Sequence, residues 1–453
     1  MVKLTEQNRD QYAESVLKSL DSENIQQFRQ LFFELHPQDQ LDVYLSMSET
    51  QRKKIYEFLS PDEYAEIFEE LELEDQKEFL QELNEHYAQD VISHMSTDDA
   101  ADFLAEIHQT RAYAIIDGLE EEEAKDIKEL LSYEEETAGS IMTKDFVNLT
   151  ASSTIREVID LLRHEGPDAE TIYYLYVVND NHELVGVASL RDLITAEPDS
   201  YVKDIMSTRV VSVKTGEDQE DVAALFKKYD FLAVPVITEQ KKLVGIITVD
   251  DILDVMDEEA SEDLDEFAAS RGATDLKITP FNAAKKRAPW IILLMFFGMI
   301  SANIIAQFEK TLEAVVLLAG FIPLIMGSAG NAGTQSLAVA VRSLALGTLE
   351  KKGLGKMILR EFSTGILLGT ICSVVLLIII PFMHGSYFLA FIVGLSIFLS
   401  LSMATVIGTV VPLIINKLKL DPAIASGPFI TTVNDIVGLM IYFTVATAML
   451  TYL

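Results

Sequence analysis

Asp435 stands in Thr431-Thr432-Val433-Asn434-Asp435-Ile436-Val437-Gly438-Leu439, inside an apolar stretch long enough to cross a membrane. An ionised carboxylate at membrane depth costs several kcal/mol, so it usually faces a pathway or a partner. Thr431, Thr432 and Asn434 put neutral oxygens beside it. Such a set suits a hydrated divalent cation: Mg²⁺ gives up water reluctantly and can be held through its waters by few acids. The competing assignment is a structural Asp435 paired with Arg342. A second patch, Gly327-Ser328-Ala329-Gly330-Asn331-Ala332-Gly333-Thr334-Gln335-Ser336, has small residues for close helix packing and more polar side chains than packing needs. It reads as an unwound or pore-lining segment. A third set is acidic: Asp98, Asp99 and Asp102, then Asp218, Glu220, Asp230, Asp250, Asp251 and Asp254. Asp98 and Asp102 share a helix face by their spacing. Carboxylates on facing surfaces repel, and divalent cations bridging them would draw the surfaces together. Taken singly, each acid reads as a solvated one.

The charge is segregated. Residues 1–280 carry 24 basic and 65 acidic groups, those from 281 onward 11 and 6, and the whole chain of 453 residues has a net charge of −36. So acidic a first part repels nucleic acid and favours cations. The length suggests about three domains. The single Cys372 excludes an intrachain disulfide, and no N-terminal apolar stretch suggests a cleaved signal. Seven His show no metalloprotease spacing, and there is no Walker loop and no nucleophile–base constellation, so an enzyme is not expected.

Five apolar stretches approach or exceed the roughly 20 residues of a membrane span: about 289–308, 312–326 and onward, 362–382, 387–415 and 424–453. Lys285, Lys286 and Arg287 precede the first. Lys351, Lys352, Lys356 and Arg360 follow the second, and Lys417 and Lys419 the fourth. Every other loop is basic, which puts the N-terminus in the cytoplasm and the C-terminus outside.

Residues 1–135 read as helical, with apolar positions three and four apart (Tyr64, Ile67, Phe68, Leu71) and a start signal at Ser60-Pro61-Asp62-Glu63. Their spacing suggests a small superhelical array. Residues 136–256 hold a doubled unit. Leu184-Val185-Gly186-Val187-Ala188-Ser189-Leu190-Arg191-Asp192 matches Leu243-Val244-Gly245-Ile246-Ile247-Thr248-Val249-Asp250-Asp251, and Ser140-Ile141-Met142-Thr143 matches Asp204-Ile205-Met206-Ser207. Each unit is expected to hold a Met turn, a helix, two strands and a second helix. This repeat resembles a CBS pair. The Gly allows close backbone approach, and the hydroxyl lies at a helix N-terminus able to face a phosphate. That resemblance implies an adenine nucleotide near Ser189, Arg191, Asp192 and Phe231. Residues 257–285 form an acidic connecting helix, and 286–453 the all-α membrane domain of five spans.

This order of parts, with Gly330-Asn331-Ala332-Gly333-Thr334-Gln335-Ser336, Asp421-Pro422-Ala423 and Asn434-Asp435-Ile436-Val437-Gly438-Leu439, resembles the MgtE family of magnesium channels over essentially the whole chain. The resemblance implies a homodimer in a bacterial inner membrane, with Asp435 of both copies at a pore site for hydrated Mg²⁺ and Asn434, Thr431, Asn331 and Asp421 beside it. It also implies sensor sites for Mg²⁺ at Asp98, Asp102, Asp218, Glu220, Asp230, Asp250, Asp251 and Asp254, with Glu258, Glu259, Glu262 and Asp263 of the connector. Occupied, these would compact the dimer and close the pore. ATP at the CBS pair is implied for some members, and other divalent cations are further candidates for passage. The competing classes are an exchanger of a divalent ion against H⁺ or Na⁺, with Asp435 as a protonatable relay, and a membrane-anchored nucleotide sensor without transport.

Overall fold

The computed structural model describes residues 8–167, 169–269, 278–345, 353–418 and 427–450. The chain divides into two compact units, Met1–Asp257 and Glu258–Leu453.

The first unit opens with ten short helices: α1 (Arg9–Asp21), α2 (Ile25–Phe33), α3 (Pro37–Leu45), α4 (Glu49–Phe58), α5 (Pro61–Glu69), α6 (Leu73–Phe79), α7 (Glu85–Ile92), α8 (Thr97–Glu106), α9 (Gln109–Ile116) and α10 (Glu121–Leu130). Local chemistry sets where they start. Asn24 and Asn84 accept from the Gln27 and Tyr87 amides, and Ser60 with Glu63 forms a capping box around Pro61 at the first helical position. Alternate helices stack (α3 on α5, α5 on α7, α7 on α9), which is the array the spacing suggests. Their shared core holds Phe28, Phe32, Tyr44, Tyr64, Phe68 and Phe103, all essentially inaccessible. Its polar atoms are satisfied: the Tyr44 hydroxyl lies 2.7 Å from that of Tyr64 and 2.9 Å from that of Tyr56. Tyr56 in turn donates to Glu82 at 3.0 Å, and Glu82 pairs with Arg52.

The repeat folds into two matching three-stranded sheets. The first has β1 (Phe146–Thr150) parallel to β2 (Thr171–Val178), which is antiparallel to β3 (Leu184–Ser189). The second has β4 (Val213–Lys214), β5 (Ala233–Ile237) and β6 (Leu243–Thr248) in the same arrangement. The helices are α11 (Ile155–Glu165), α12 (Leu190–Thr195), α13 (Val202–Ile205) and α14 (Gln219–Tyr229). Two strands per unit were expected, so β1 and β4 are additions. β4 has only two residues, too few for a strand period to show in the sequence.

The repeated Gly and Met meet each other crosswise. A Cβ on Gly186 would lie 2.6 Å from Met206 Sδ, and one on Gly245 2.6 Å from Met142 Sδ. The close approach that these glycines allow is therefore made by the opposite unit's Met turn.

A single helix, α15 (Val249–Phe267), contains both the last helix of the repeat and the start of the acidic connector. Residues 257–267 thus continue α15 rather than begin a helix of their own.

The second unit holds α16 (Pro280–Gln307), α17 (Glu309–Ala314), α18 (Ile322–Ala345), α19 (Leu354–His384), α20 (Tyr387–Lys417) and α21 (Gly427–Leu450). Five helical segments are long and apolar enough to cross a membrane. α16 and α19 begin before their apolar runs, because their first turns are basic but still helical. α18, α20 and α21 form the centre, while α16 and α19 display Ile291, Met299, Leu367 and Ile378 outward. Glycines set the packing distances. A Cβ on Gly408 of α20 would collide with the Gly333 carbonyl of α18, and one on Gly369 of α19 would lie 2.8 Å from the Phe398 carbonyl. Ser396, Ser402 and Thr409 return their hydroxyls to carbonyls one turn back, which satisfies them without water. The stretch Gly327–Ser336 is continuous helix within α18, not unwound, since Gly330 and Gly333 are used for close contact with α21.

Candidate functional site

In the membrane unit, α18 and α21 meet at small and polar residues. A Cβ added to Gly330 would lie 2.7 Å from Thr431 Cγ2 and 3.3 Å from Asp435 Oδ1. Glycine is what lets the Asp435 carboxylate lie against the α18 backbone. The Thr334 and Thr431 hydroxyls are 3.0 Å apart. Thr431 and Thr432 also donate back to the carbonyls of Gly427 and Pro428, at 2.9 and 2.8 Å. Asp435 Oδ1 is buried and has no hydrogen-bond partner. Among the described residues no ion pair joins Asp435 to Arg342, so the structural assignment finds no support.

Asn434 and Asn331 take different places. Asn434 is 1 % exposed and points at Gly333, with neither amide atom partnered. Asn331 is exposed on α18, in a stripe with Gly327, Gln335, Ala338 and Arg342. Asp421 lies outside the described residues.

In the first unit, Asp98 in the opening turn of α8 is 7 % exposed and its Oδ1 has no partner. Burial, then Asp251 and Asp99, hold its carboxyl well above the usual range. Asp99 is pushed up to about 6, and Glu69 and Glu170 to about 7, each chiefly by burial. Asp251 is raised by burial, against its hydrogen bonds from Thr248. Asp254 is raised by burial and by Asp257 and Asp250. Glu69, Asp98, Asp99, Glu170 and Asp251 are thus one acidic interface joining α5, α8, the residues before β2, and α15. Docking contacts surround it: the Thr97 amide donates to Asp145 at 2.8 Å, and Lys144 pairs with Glu129 at 2.6 Å.

The other expected sensor residues are not gathered there. Asp102 is exposed one turn beyond Asp98. Asp218 caps α14 by accepting from the Glu220 amide at 2.9 Å, and Asp230 ends that helix in a left-handed conformation at φ 54°. Asp250, Glu258 and Glu262 are exposed on α15, Glu259 is half-buried there, and the Asp263 side chain is outside the described set.

A cavity of about 550 Å³ is lined by Tyr173, Tyr174, Ser189, Arg191 and Thr195 of the first repeat and Leu232 of the second, among others. Ser189 donates to Asp192 Oδ2 at 2.6 Å and caps α12. The Ser189 hydroxyl and Asp192 carboxylate, expected beside a nucleotide, are therefore engaged with each other. Phe231 stacks on Tyr229 and does not line the cavity. The adjacent Leu232 does.

Three family models match: an MgtE intracellular N domain over residues 35–136, CBS domains over 138–199 and 202–258, and a divalent cation transporter over 322–445. The magnesium transporter MgtE of Enterococcus faecalis is 44 % identical over 96 % of this chain and 97 % of its own. The chain belongs to the MgtE family of magnesium transporters. The Bacillus subtilis MgtE is 48 % identical over 72 % of each chain. The crystal structure of the cytosolic domain of the Mg²⁺ channel MgtE in complex with ATP is 38 % identical, covers 54 % of this chain and 99 % of its own, and has a TM-score of 0.51. The protein is therefore a multi-pass membrane transporter with Mg²⁺ as its cargo, and not an enzyme.

In this MgtE chain, Glu69 and Glu170 are members of the acidic interface that sequence reasoning missed. Each is one acid among many, and nothing in its own neighbourhood marks it for burial. Their raised values have a pH consequence. Unfolded carboxylates titrate near pH 4. The folded interface keeps its protons to about pH 6–7, so it binds more protons than the open form in between. Stability of the docked interface therefore falls as pH rises from about 4 to 7. Hydrogen exchange on the full-length protein, corrected for intrinsic rates, should show α8 at least about tenfold less protected at pH 7.5 than at pH 5.5 without divalent cation. Millimolar Mg²⁺ should restore protection at pH 7.5. Equal protection at both pH values would remove the acidic interface as a source of strain.

Proposed function

We propose that this chain forms a homodimeric Mg²⁺-selective channel that cytosolic Mg²⁺ closes. The observation that carries the reading is Asp435: a carboxylate inside a membrane helix, set against a glycine, with a buried oxygen that no protein group satisfies. Such an oxygen suits a cation or its water shell. Asn331 and Gln335 support the dimer. They are exposed within a span, where lipid offers no hydrogen bonds, so a second copy and a watery path would satisfy them. Thr431 and, outside the described residues, Asp421 would add oxygens along that path. Asn434, turned inward, would act on the packing of α21 rather than as a direct ligand.

The acidic interface is the sensor in this reading. Asp98 presents a buried oxygen without a partner, facing further carboxylates. Among the described residues no three His, Cys, Asp or Glu side chains converge as a metal cage, so Mg²⁺ would be held through its waters. The resemblance adds Asp102, Asp218, Glu220, Asp230, Asp250, Asp254, Glu258, Glu259, Glu262 and Asp263 as weaker contributors. Basic residues before α16 and after α18 and α20 support a cytoplasmic N-terminus and an outer C-terminus.

Patch-clamp recording of reconstituted protein tests the channel. Unitary openings that vanish as cytosolic-side Mg²⁺ is stepped from micromolar to millimolar levels are expected. Uptake that stalls unless an H⁺ or Na⁺ gradient is present would instead establish an exchanger.

Adenine nucleotide is the proposed occupant of the CBS cavity, with Tyr173 and Tyr174 beside the base and Arg191 on phosphate. Calorimetric titration with ATP should lose about tenfold or more in affinity in Arg191→Ala, as expected for a charged hydrogen-bonding partner. Unchanged affinity would exclude this cavity.

A further inference from the structure

Glu361 is a second buried carboxylate in the membrane unit, just before the apolar run of α19, and the ion path described above does not use it. It lies on α19, is 4 % exposed, and accepts from the Ser336 hydroxyl of α18 at 2.9 Å. Ser336 itself is 2 % exposed. The other carboxylate oxygen is 3.6 Å from Nε of the exposed Arg360. A carboxylate enclosed between helices is costly, and an apolar side chain of similar size would pack as well or better. Its presence asks for a role that packing alone does not fill.

The geometry supplies one. α19 packs along α20, where a Cβ on Gly365 would lie 3.0 Å from the Leu401 carbonyl, and α20 meets α18 where Gly408 abuts Gly333. Glu361, one turn before Gly365, reaches α18 at Ser336, three residues after Gly333. On a helix of about 100° per residue, Ser336 points some 200° away from Thr334. Thr334 faces Thr431, at 3.0 Å between hydroxyls, and Gly330 faces Asp435. Glu361 therefore grips α18 from the side opposite the ion path.

We propose that Glu361 is a positioning residue: through Ser336 it fixes the rotation of α18 about its axis, and so the alignment of Gly330, Asn331 and Thr334 with Asp435. The inference rests on the reading of Asp435 as the ion site.

The test is a double-mutant cycle on the full-length protein in proteoliposomes, following Mg²⁺ uptake and the preference for Mg²⁺ over the larger Ca²⁺. Glu361→Gln keeps an acceptor and should stay within about twofold of the parent in both. Glu361→Leu and Ser336→Ala should each lower uptake about tenfold and weaken the Mg²⁺ preference, and the double variant should be no worse than Glu361→Leu alone. Fully additive losses, or parental uptake and preference in both single variants, overturn the proposal. So does a Glu361→Gln as impaired as Glu361→Leu, since charge rather than the hydrogen bond would then matter. Should Glu361→Leu not assemble, Ser336→Ala, a loss of one oxygen, decides alone on uptake and ion preference. Asp435→Asn runs in parallel. If it still transports, the ion-site reading fails, while the Ser336–Glu361 coupling is scored separately on ion preference.

Discussion

Asp435→Asn is expected to abolish Mg²⁺ transport while leaving the protein folded and more stable. The substitution keeps the size of the side chain and removes its charge. The carboxylate has a buried oxygen with no partner, held against Gly330. Keeping an acid at such a depth costs about 3 kcal/mol, and a neutral amide relieves that cost. Thermal unfolding in detergent should therefore move to higher temperature. Transport should move the other way. In a dimer the ion loses a negative charge from each copy, and about 3 kcal/mol of lost attraction is about a hundredfold in occupancy. Uptake into proteoliposomes under a Mg²⁺ gradient should drop at least about a hundredfold, and unitary openings should disappear. Parental flux in Asp435→Asn would return this residue to a structural role.

Asp98→Asn is expected to change gating with two signs at once. At micromolar Mg²⁺ the acid is buried beside Asp251 and Asp99, which strains the docked interface. Removing it should tighten docking, raise the protection of α8 from hydrogen exchange, and reduce openings. In the proposed sensor, millimolar Mg²⁺ would bridge the parent's acids and the variant would gain less from it. The dependence of open probability on Mg²⁺ should flatten from both ends. A gate moved from mostly open to mostly shut needs about 5.5 kcal/mol of differential binding, so several acids must share the work and one loss should blunt the response rather than erase it. A pure ligand role predicts a different curve, shifted to higher Mg²⁺ with its low-Mg²⁺ plateau intact. An unchanged curve would take Asp98 out of the sensor.

The elements themselves were legible for local reasons. Long apolar runs mark the spans because transfer cost adds residue by residue. The Ser60–Glu63 box and the doubled Gly-x-x-Ser/Thr-x-x-Asp motif work within a few residues of one another, so their spacing is visible in the chain. Three other features were not legible. Glu361 follows Arg360 and Lys356 and reads as loop charge, yet it is enclosed between helices. Asn434 and Asp435 read as one polar pair, but neighbours on a helix point about 100° apart. One faces Gly333 and the other Gly330. The Ser189–Asp192 motif reads as a ligand grip, and in the fold its two side chains cap a helix.

By itself the sequence determined the order of parts, the membrane spans, the acidity of the first 280 residues and the presence of a carboxylate at membrane depth. Each is a property of a residue or a short run, and survives however the chain folds. Tertiary structure alone decided which acids are partners. Asp98 comes from α8, Glu69 from α5 and Asp251 from α15, and burial made them one interface rather than three solvated charges. It likewise decided that Met206 meets Gly186, and that Ser336 meets Glu361. A polar group's cost depends on what replaces its water, and that is set by segments distant in the chain.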